Sequence, residues 1–332
     1  ILSKGMIIFM KIVMLEAKTV SCGDVSFDEI YRLGEVTEYP LTPDDKIVER
    51  IGDAEAVLCN KTPFTESVLR ACPKLKYIGV CATGYNNIDI KTAAELGITV
   101  CNVPSYSTEA VAQQVFSYIL HFANKTADYN NFVHDGGWIN SDTFSCFKYP
   151  IIELADLTIG IIGYGSIGKA VAKIAKAFNM NVIVNTRTAK QDGSVKFVEL
   201  NYLLKSSDIV TVHCPLTDTT KGLINLERLK LCKPSAIFIN TSRGAVVNEN
   251  DLAYSLNNGI IAGAGLDVLA EEPMRADCPL FTAKNCVITP HIAWAPLKTR
   301  ERLIRIVAEN LQAFIDGKPV NTVEYGELSC II

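Results

Sequence analysis

The chain has 332 residues, of which 48% are hydrophobic, 20% charged and 8% aromatic, too many for one small core and too apolar for a largely disordered chain. The 32 Lys and Arg against 36 Asp and Glu leave a formal net charge of −4 and a pI near 5.7, with mean hydropathy +0.20. That balance lacks the basic excess that nucleic-acid binding needs, so nucleic acid is not an expected partner.

Met6-Ile7-Ile8-Phe9-Met10 is apolar but short, is interrupted by Lys11, and is followed by no small-residue cleavage site. It reads as neither a membrane span nor a secretion signal. Strand-like runs follow at 11–15, 35–39, 56–59, 77–81 and 99–102, with helical patterns at 44–51, 65–71 and 89–96 between them. This alternation implies a parallel sheet covered on both faces. Glu16-Ala17-Lys18 follows the first strand without a glycine-rich turn, so this sheet is not expected to cradle a pyrophosphate. A long helix is expected over 108–125, apolar at Val111, Val115, Tyr118, Ile119 and Phe122. Residues 128–150 show no clear period and contain Gly136-Gly137-Trp138. A structureless stretch of that length is a solvent-exposed excursion or an arm packed on a second subunit with Trp138 as an anchor, and the expectation is a homodimer.

A second βα series begins at Leu157, with strands at 157–162, 181–185, 209–213, 236–240 and 261–266. A final helix is expected over 298–316, apolar at Leu303, Val307, Leu311 and Phe314 and stopped by Gly317 and Pro319. The first of these strands runs into Gly163-Tyr164-Gly165-Ser166-Ile167-Gly168, and a helical pattern and a further strand follow. In that context the glycines read as a dinucleotide fingerprint. Gly163 allows the tight turn, Gly165 the approach of backbone to phosphate, and Gly168 close helix–strand packing. The pyrophosphate is expected at the helix N-terminus, on Ser166 and Ile167. The acidic residue that would accept from an adenosine ribose is missing at the end of the next strand, which reads Asn185-Thr186-Arg187. These residues, with Lys190 nearby, suit a 2′-phosphate, so NADPH is expected over NADH; a polar loop tolerant of both is the alternative.

The fingerprint lies mid-chain. The cofactor domain, 105–291, is therefore expected as an insertion in a substrate domain made of 1–104 and 292–332. The fold expected is α/β with two doubly wound parallel sheets, and ligands are expected in a cleft between the domains, outside the carboxyl ends of strands.

Reducing a 2-keto acid takes a cation for the carboxylate and carbonyl, a proton donor, and a group that keeps the donor protonated. Arg243 and Glu272 follow strands of the second series, and His291 lies in the segment 289–294 that ends the cofactor domain. Arginine offers a planar fork for a carboxylate, and histidine beside a carboxylate is a natural acid near neutral pH. Taken singly, each has an ordinary alternative: a surface ion pair for Arg243, a solvated residue before proline for Glu272, a satisfied core histidine for His291. His121 lies in the long helix and His134 in the aperiodic stretch, while His213 suits the wall of the cofactor groove. The 11 cysteines include no CxxC pair and several sit in apolar runs, so reduced thiols in a cytoplasmic protein are expected. No Cys/His spacing suits a metal.

Beyond these individual readings, GYGSIG at 163–168, VHCPLTDTT at 212–220, NTSRGAVVN at 240–248, GAGLDVLAEEP at 263–273 and ITPHIAW at 288–294 occur in the order seen in the D-isomer-specific 2-hydroxyacid dehydrogenases. The chain resembles that family over nearly its whole length. The resemblance implies a flavodoxin-like substrate domain, an inserted Rossmann domain, and Arg243, Glu272 and His291 as catalytic triad. It further implies Thr108, His213, Cys214, Pro215, Thr220, Thr241 and Ser242 along the cofactor, with Asp267 at its carboxamide. Ala82-Thr83-Gly84-Tyr85 resembles the loop whose backbone takes the substrate carboxylate, at Thr83 and Gly84, and Trp294 would line the substrate. VCNVPSYSTEAVAQ at 100–113 and the PHIAW run are most similar to glycerate dehydrogenases, also called hydroxypyruvate reductases, which implies hydroxypyruvate or glyoxylate as substrate. D-Lactate and 3-phosphoglycerate dehydrogenases are the alternatives within the family, and a dinucleotide-sensing corepressor scaffold is the alternative outside catalysis.

Overall fold

In the computed structural model, residues 10–187 and 193–325 are described, so Lys190, Met6–Phe9 and Cys330 fall outside it. The chain divides into two compact units: residues up to Tyr106 together with those from Ala295 onward, and Ser107–Trp294.

The first unit contains β1 (Met10–Met14), α1 (Asp28–Tyr31), β2 (Gly34–Glu38), α2 (Ile47–Ile51), β3 (Ala56–Cys59), α3 (Glu66–Arg70), β4 (Tyr77–Val80), α4 (Ile90–Glu95) and β5 (Thr99–Cys101). Its strands pair in parallel in the order β2-β1-β3-β4-β5, the flavodoxin-like order. Burial explains the placing. β3 and β4 are apolar and buried at every residue and lie inside, whereas the polar Gly-Glu-Val-Thr-Glu of β2 takes an edge. Thr65 and Asp89 cap α3 and α4 by accepting from the N–H groups of Val68 and Thr92.

The second unit contains α5 (Thr108–Asn124), α6 (Thr126–His134), β6 (Thr158–Ile162), α7 (Ser166–Ala177), β7 (Asn181–Asn185), β8 (Lys196–Phe197), α8 (Leu200–Ser206), β9 (Ile209–Val212), α9 (Leu226–Leu229), β10 (Ile237–Asn240), α10 (Glu249–Asn257), β11 (Gly263–Leu266) and β12 (Cys286–Ile288). All its pairings are parallel, in the order β12-β11-β10-β9-β6-β7-β8. The order reverses at β6, so the carboxyl ends of β6 and β9 flank a topological switch point, where dinucleotides bind in such sheets. Alternating side chains feed two cores. Ile159 and Ile161 pack with Val115 and Tyr118 on one face, and Ile162 packs with Leu203 and Phe238 on the other. The glycines of β11 make room for α5. A Cβ on Gly265 would fall 2.5 Å from the Tyr118 ring, and one on Gly263 2.6 Å from that of Phe122.

The last helix, α11 (Leu297–Ile315), belongs to the first unit. It buries Leu303, Val307 and Leu311, and its Phe314 ring lies 4.8 Å from that of Tyr77.

The aperiodic reading of 128–150 needs correction. Thr126–His134 is helical, so His134 closes a helix rather than sitting in a loop. This helix buries no residue and therefore prints no apolar period on the sequence. Beyond it Trp138 is 53% exposed, Ile139 86%, Phe144 93% and Phe147 90%. The two-residue β8 and three-residue β12 were also absent from the sequence reading, being too short to show a pattern.

Candidate active site

Gly163 ends β6 at φ +96°, and a Cβ there would stand 2.6 Å from the backbone carbonyl of His213. Only glycine lets the β6 turn meet the end of β9 this closely. A Cβ on Gly168 would overlap the Gly163 carbonyl oxygen, so helix and turn are equally close. Gly165 sits at the N-cap of α7 with no side-chain cap bond. Gly165 itself brings no side chain to the positive end of the helix, which leaves its backbone open to approach and fits a pyrophosphate. At the end of β7 the Asn185 amide nitrogen donates to the Val198 carbonyl at 2.9 Å, Thr186 is half-buried and Arg187 is exposed.

At the end of β9, His213 is buried. Its Nε2 lies 2.9 Å from Thr211 Oγ1, its Nδ1 has no partner, and burial pushes its pKa down to about 3, leaving it neutral. Cys214 is buried too, its thiol pushed up to about 11. Thr220 donates to the Pro215 carbonyl at 2.6 Å and so fastens the turn that carries Pro215. Thr108 opens α5.

Asn240, buried at the end of β10, shapes the next loop. Its Nδ2 donates to the Arg243 carbonyl at 2.9 Å, and its Oδ1 accepts from the N–H and hydroxyl of Ser242. Thr241 Oγ1 is buried without a partner. The Arg243 guanidinium donates to the Ser242 carbonyl at 2.7 Å. Directly after it, a Cβ on Gly244 would overlap the backbone of Leu269 and Ala270. The Arg243 loop is therefore pressed against the segment that leads to Glu272.

Glu272 uses both oxygens. Oε1 accepts from the Leu269 N–H at 3.0 Å, and Oε2 lies 2.6 Å from His291 Nδ1. The pair is reachable, with side-chain exposures of 34% and 25%. With Nδ1 on the carboxylate, Nε2 is the nitrogen left to exchange a proton. His291 has φ +55°, rare for a non-glycine residue. Asp267 holds it there. The Asp267 carbonyl accepts from the His291 N–H at 2.8 Å, and its carboxylate accepts from Thr289 Oγ1 at 2.5 Å and from the N–H groups of Ile292 and Ala293 at 2.9 and 2.8 Å. Burial pushes the Asp267 carboxyl up from its ordinary value. Trp294, half-buried, closes this unit.

In the first unit, Thr83 donates to the Val103 carbonyl at 2.7 Å, and its own carbonyl accepts from Asn102 Nδ2 at 2.7 Å. This fixes the loop holding Gly84. Among the described residues no cluster of His, Cys, Asp and Glu could hold a metal, and ten cysteines are free thiols.

Gly244 and Thr289 lie in segments the sequence singles out but take no role there, and Tyr118 reads only as an apolar position of α5. A tyrosine on an otherwise apolar helix face is the one signal that pointed to it.

The model of the D-isomer specific 2-hydroxyacid dehydrogenase NAD-binding domain matches residues 116–293. A hydroxypyruvate reductase of Blautia hydrogenotrophica is 42% identical over 320 residues, 95% of this chain and 99% of the relative. The chain belongs to the D-isomer-specific 2-hydroxyacid dehydrogenases. It is a D-2-hydroxyacid dehydrogenase, and its second unit carries the family's NAD-binding domain. A glycerate dehydrogenase of Methylorubrum extorquens is 39% identical over 318 residues, 95% of this chain and 99% of that one. Among solved structures, an NADPH-dependent glyoxylate/hydroxypyruvate reductase from Sinorhizobium meliloti, in complex with NADP and malonate, is similar with TM-score 0.81 and 26% identity, over 95% of this chain and 96% of that one.

Proposed function

We propose that this dehydrogenase reduces hydroxypyruvate and glyoxylate to D-glycerate and glycolate. The observation that carries the reading is the reachable His291–Glu272 pair at 2.6 Å in a chain of this family. The relatives named hydroxypyruvate reductase and glycerate dehydrogenase, matched over 95% of the chain, support the substrate class.

A bound nicotinamide nucleotide supplies hydride. Ser166, Ile167 and the Gly163, Gly165 and Gly168 backbone are proposed to hold its pyrophosphate, with Thr108, the 213–215 segment, Thr220, Thr241, Ser242 and Asp267 along the rest. Arg243 holds the keto-acid carboxylate and polarises the carbonyl through its planar fork. His291, protonated, gives the proton on Nε2 to the developing alkoxide, and Glu272 stabilises the imidazolium from the Nδ1 side. Backbone N–H groups at Thr83 and Gly84 take the substrate carboxylate, and Trp294 bounds the substrate. On this reading the first unit is the substrate domain and the second the cofactor domain.

NADPH is the preferred donor. No carboxylate at Thr186 repels a 2′-phosphate, and exposed Arg187 can bond one. The preference is about tenfold, the low end for a charged hydrogen bond at an exposed site. The Sinorhizobium structure, which holds NADP, supports this choice. The protein acts as a cytoplasmic homodimer; no helix among the described residues is long and apolar enough to cross a membrane.

The test follows NADPH and NADH absorbance over a panel of 2-keto acids. Highest kcat/KM with hydroxypyruvate or glyoxylate and with NADPH is expected, and Thr186→Asp should reverse the cofactor order. A wild-type enzyme that prefers pyruvate would overturn the substrate, and one that prefers NADH the cofactor.

A further inference from the structure

The sheet of the first unit has the order β2-β1-β3-β4-β5, so its switch point lies between the carboxyl ends of β1 and β3, the place where sheets of this order bind ligands. Here the chain fills that place itself. Glu16 stands just beyond β1, and its Oε2 accepts from three successive backbone N–H groups beyond β3, those of Asn60 at 2.8 Å, Lys61 at 2.7 Å and Thr62 at 2.8 Å. Successive N–H groups that converge on one point form a nest for an anion. The Glu16 carboxylate is that anion, supplied from within. Asn60 is buried, and its side-chain amide donates to Thr19 Oγ1 at 3.1 Å, so Glu16, Thr19 and Asn60 line one crevice at these strand ends.

The segment so held is tied in turn to the loop after β4. The Thr62 carbonyl accepts from Asn87 Nδ2 at 2.8 Å, the Phe64 N–H donates to the Asn87 carbonyl at 2.8 Å, and the Asp89 N–H donates to the Phe64 carbonyl at 2.9 Å. The 82–88 loop is thus fastened at its far end by residues 62–64 and at its near end by Asn102 and Val103. We infer that Glu16 is a positioning residue for substrate binding: its carboxylate fills the switch-point nest of the first sheet and so holds, through residues 60–64, the loop that contains Thr83 and Gly84. The same contact closes the nest to an outside anion, which makes a would-be ligand site into a brace.

The effect on substrate binding rests on that loop taking the keto-acid carboxylate, as proposed above; the hold on the backbone does not. Amide hydrogen exchange therefore reads the hold without activity. In Glu16→Ala, exchange should quicken about tenfold over residues 60–64 and 84–89, the equivalent of one lost hydrogen bond to a charged group, while α5 and α7 keep their wild-type rates. Sodium formate, small enough to stand in the emptied nest, should slow the 60–64 amides again and leave those of wild type unchanged. Glu16→Gln keeps an accepting oxygen without the charge. Its rates should lie between the other two and ignore formate, and it carries the test if the alanine variant does not fold. In turnover, Glu16→Ala should raise KM for hydroxypyruvate about tenfold, with kcat and KM for NADPH near those of wild type, and Glu16→Gln should recover part of the loss. Unchanged exchange in Glu16→Ala, quickening confined to residues 60–62, no response to formate, or a KM for NADPH that rises as much as that for hydroxypyruvate would each overturn the inference. Absence of hydroxypyruvate reduction in wild type would defeat the functional reading, while the exchange pattern still decides whether Glu16 holds the loop.

Discussion

His291 sits in a backbone region that costs an L-residue about 1–2 kcal/mol, held there by its N–H bonded to the Asp267 carbonyl. The imidazole is thereby aimed along the Glu272 carboxylate. Replacing it by alanine should lower kcat by roughly 10²–10⁴-fold while NADPH still quenches protein fluorescence on binding. Turnover near that of wild type would remove His291 from the mechanism. His213 is a histidine of the opposite kind. Its folded-state pKa of about 3 lies below the ordinary 6.5, so between these values the unfolded chain binds a proton that the folded chain refuses. Stability therefore rises with pH through that window and is lost on acidification. The cost at pH 5 is about 2 kcal/mol relative to pH 7. Urea denaturation at the two pH values should show this difference in wild type and a smaller one in His213→Gln.

At the scale of elements, the catalytic candidates depend on how closely two loops approach. Gly244 has no room for a side chain beside Leu269 and Ala270, and Leu269 in turn donates to Glu272. Gly244→Ala should cost about 1–3 kcal/mol by overpacking and should also lower kcat, because the segment that orients Glu272 has to shift. A lowered Tm with unchanged kcat would show that the loop relaxes away from Glu272. The inner strands and long helices were legible because they bury a continuous run or a stripe, as β3, β9 and α5 do. The helix Thr126–His134 was not legible, because a helix that buries nothing has no periodic signature.

At the scale of the whole molecule, the exposed aromatic and aliphatic side chains beyond α6 matter most. Phe144, Phe147 and Ile139 are 86–93% exposed, far more apolar surface than a monomer needs on one stretch. In the proposed homodimer a second copy would cover them, so light scattering at micromolar concentration should give twice the chain mass. Phe144→Ser with Phe147→Ser should shift that equilibrium toward monomer. A wild-type monomer would leave these residues without an explanation in self-association.

The amino-acid sequence by itself determined the α/β class, two parallel sheets and the family, because buried strands and a glycine fingerprint between strand and helix are local patterns. It also placed Arg243 and Glu272 after strands and His291 at the end of the cofactor domain. Tertiary structure decided which atoms meet. The 2.6 Å contact of His291 with Glu272 joins residues 19 apart in the chain, and the bond of Tyr118 to Thr289 joins residues 171 apart. Such pairings depend on sheet order and on how α5 packs over the glycines of β11. A single chain carries no local signal for either, because hydrogen-bond partners distant in sequence are chosen by packing and not by neighbours along the backbone.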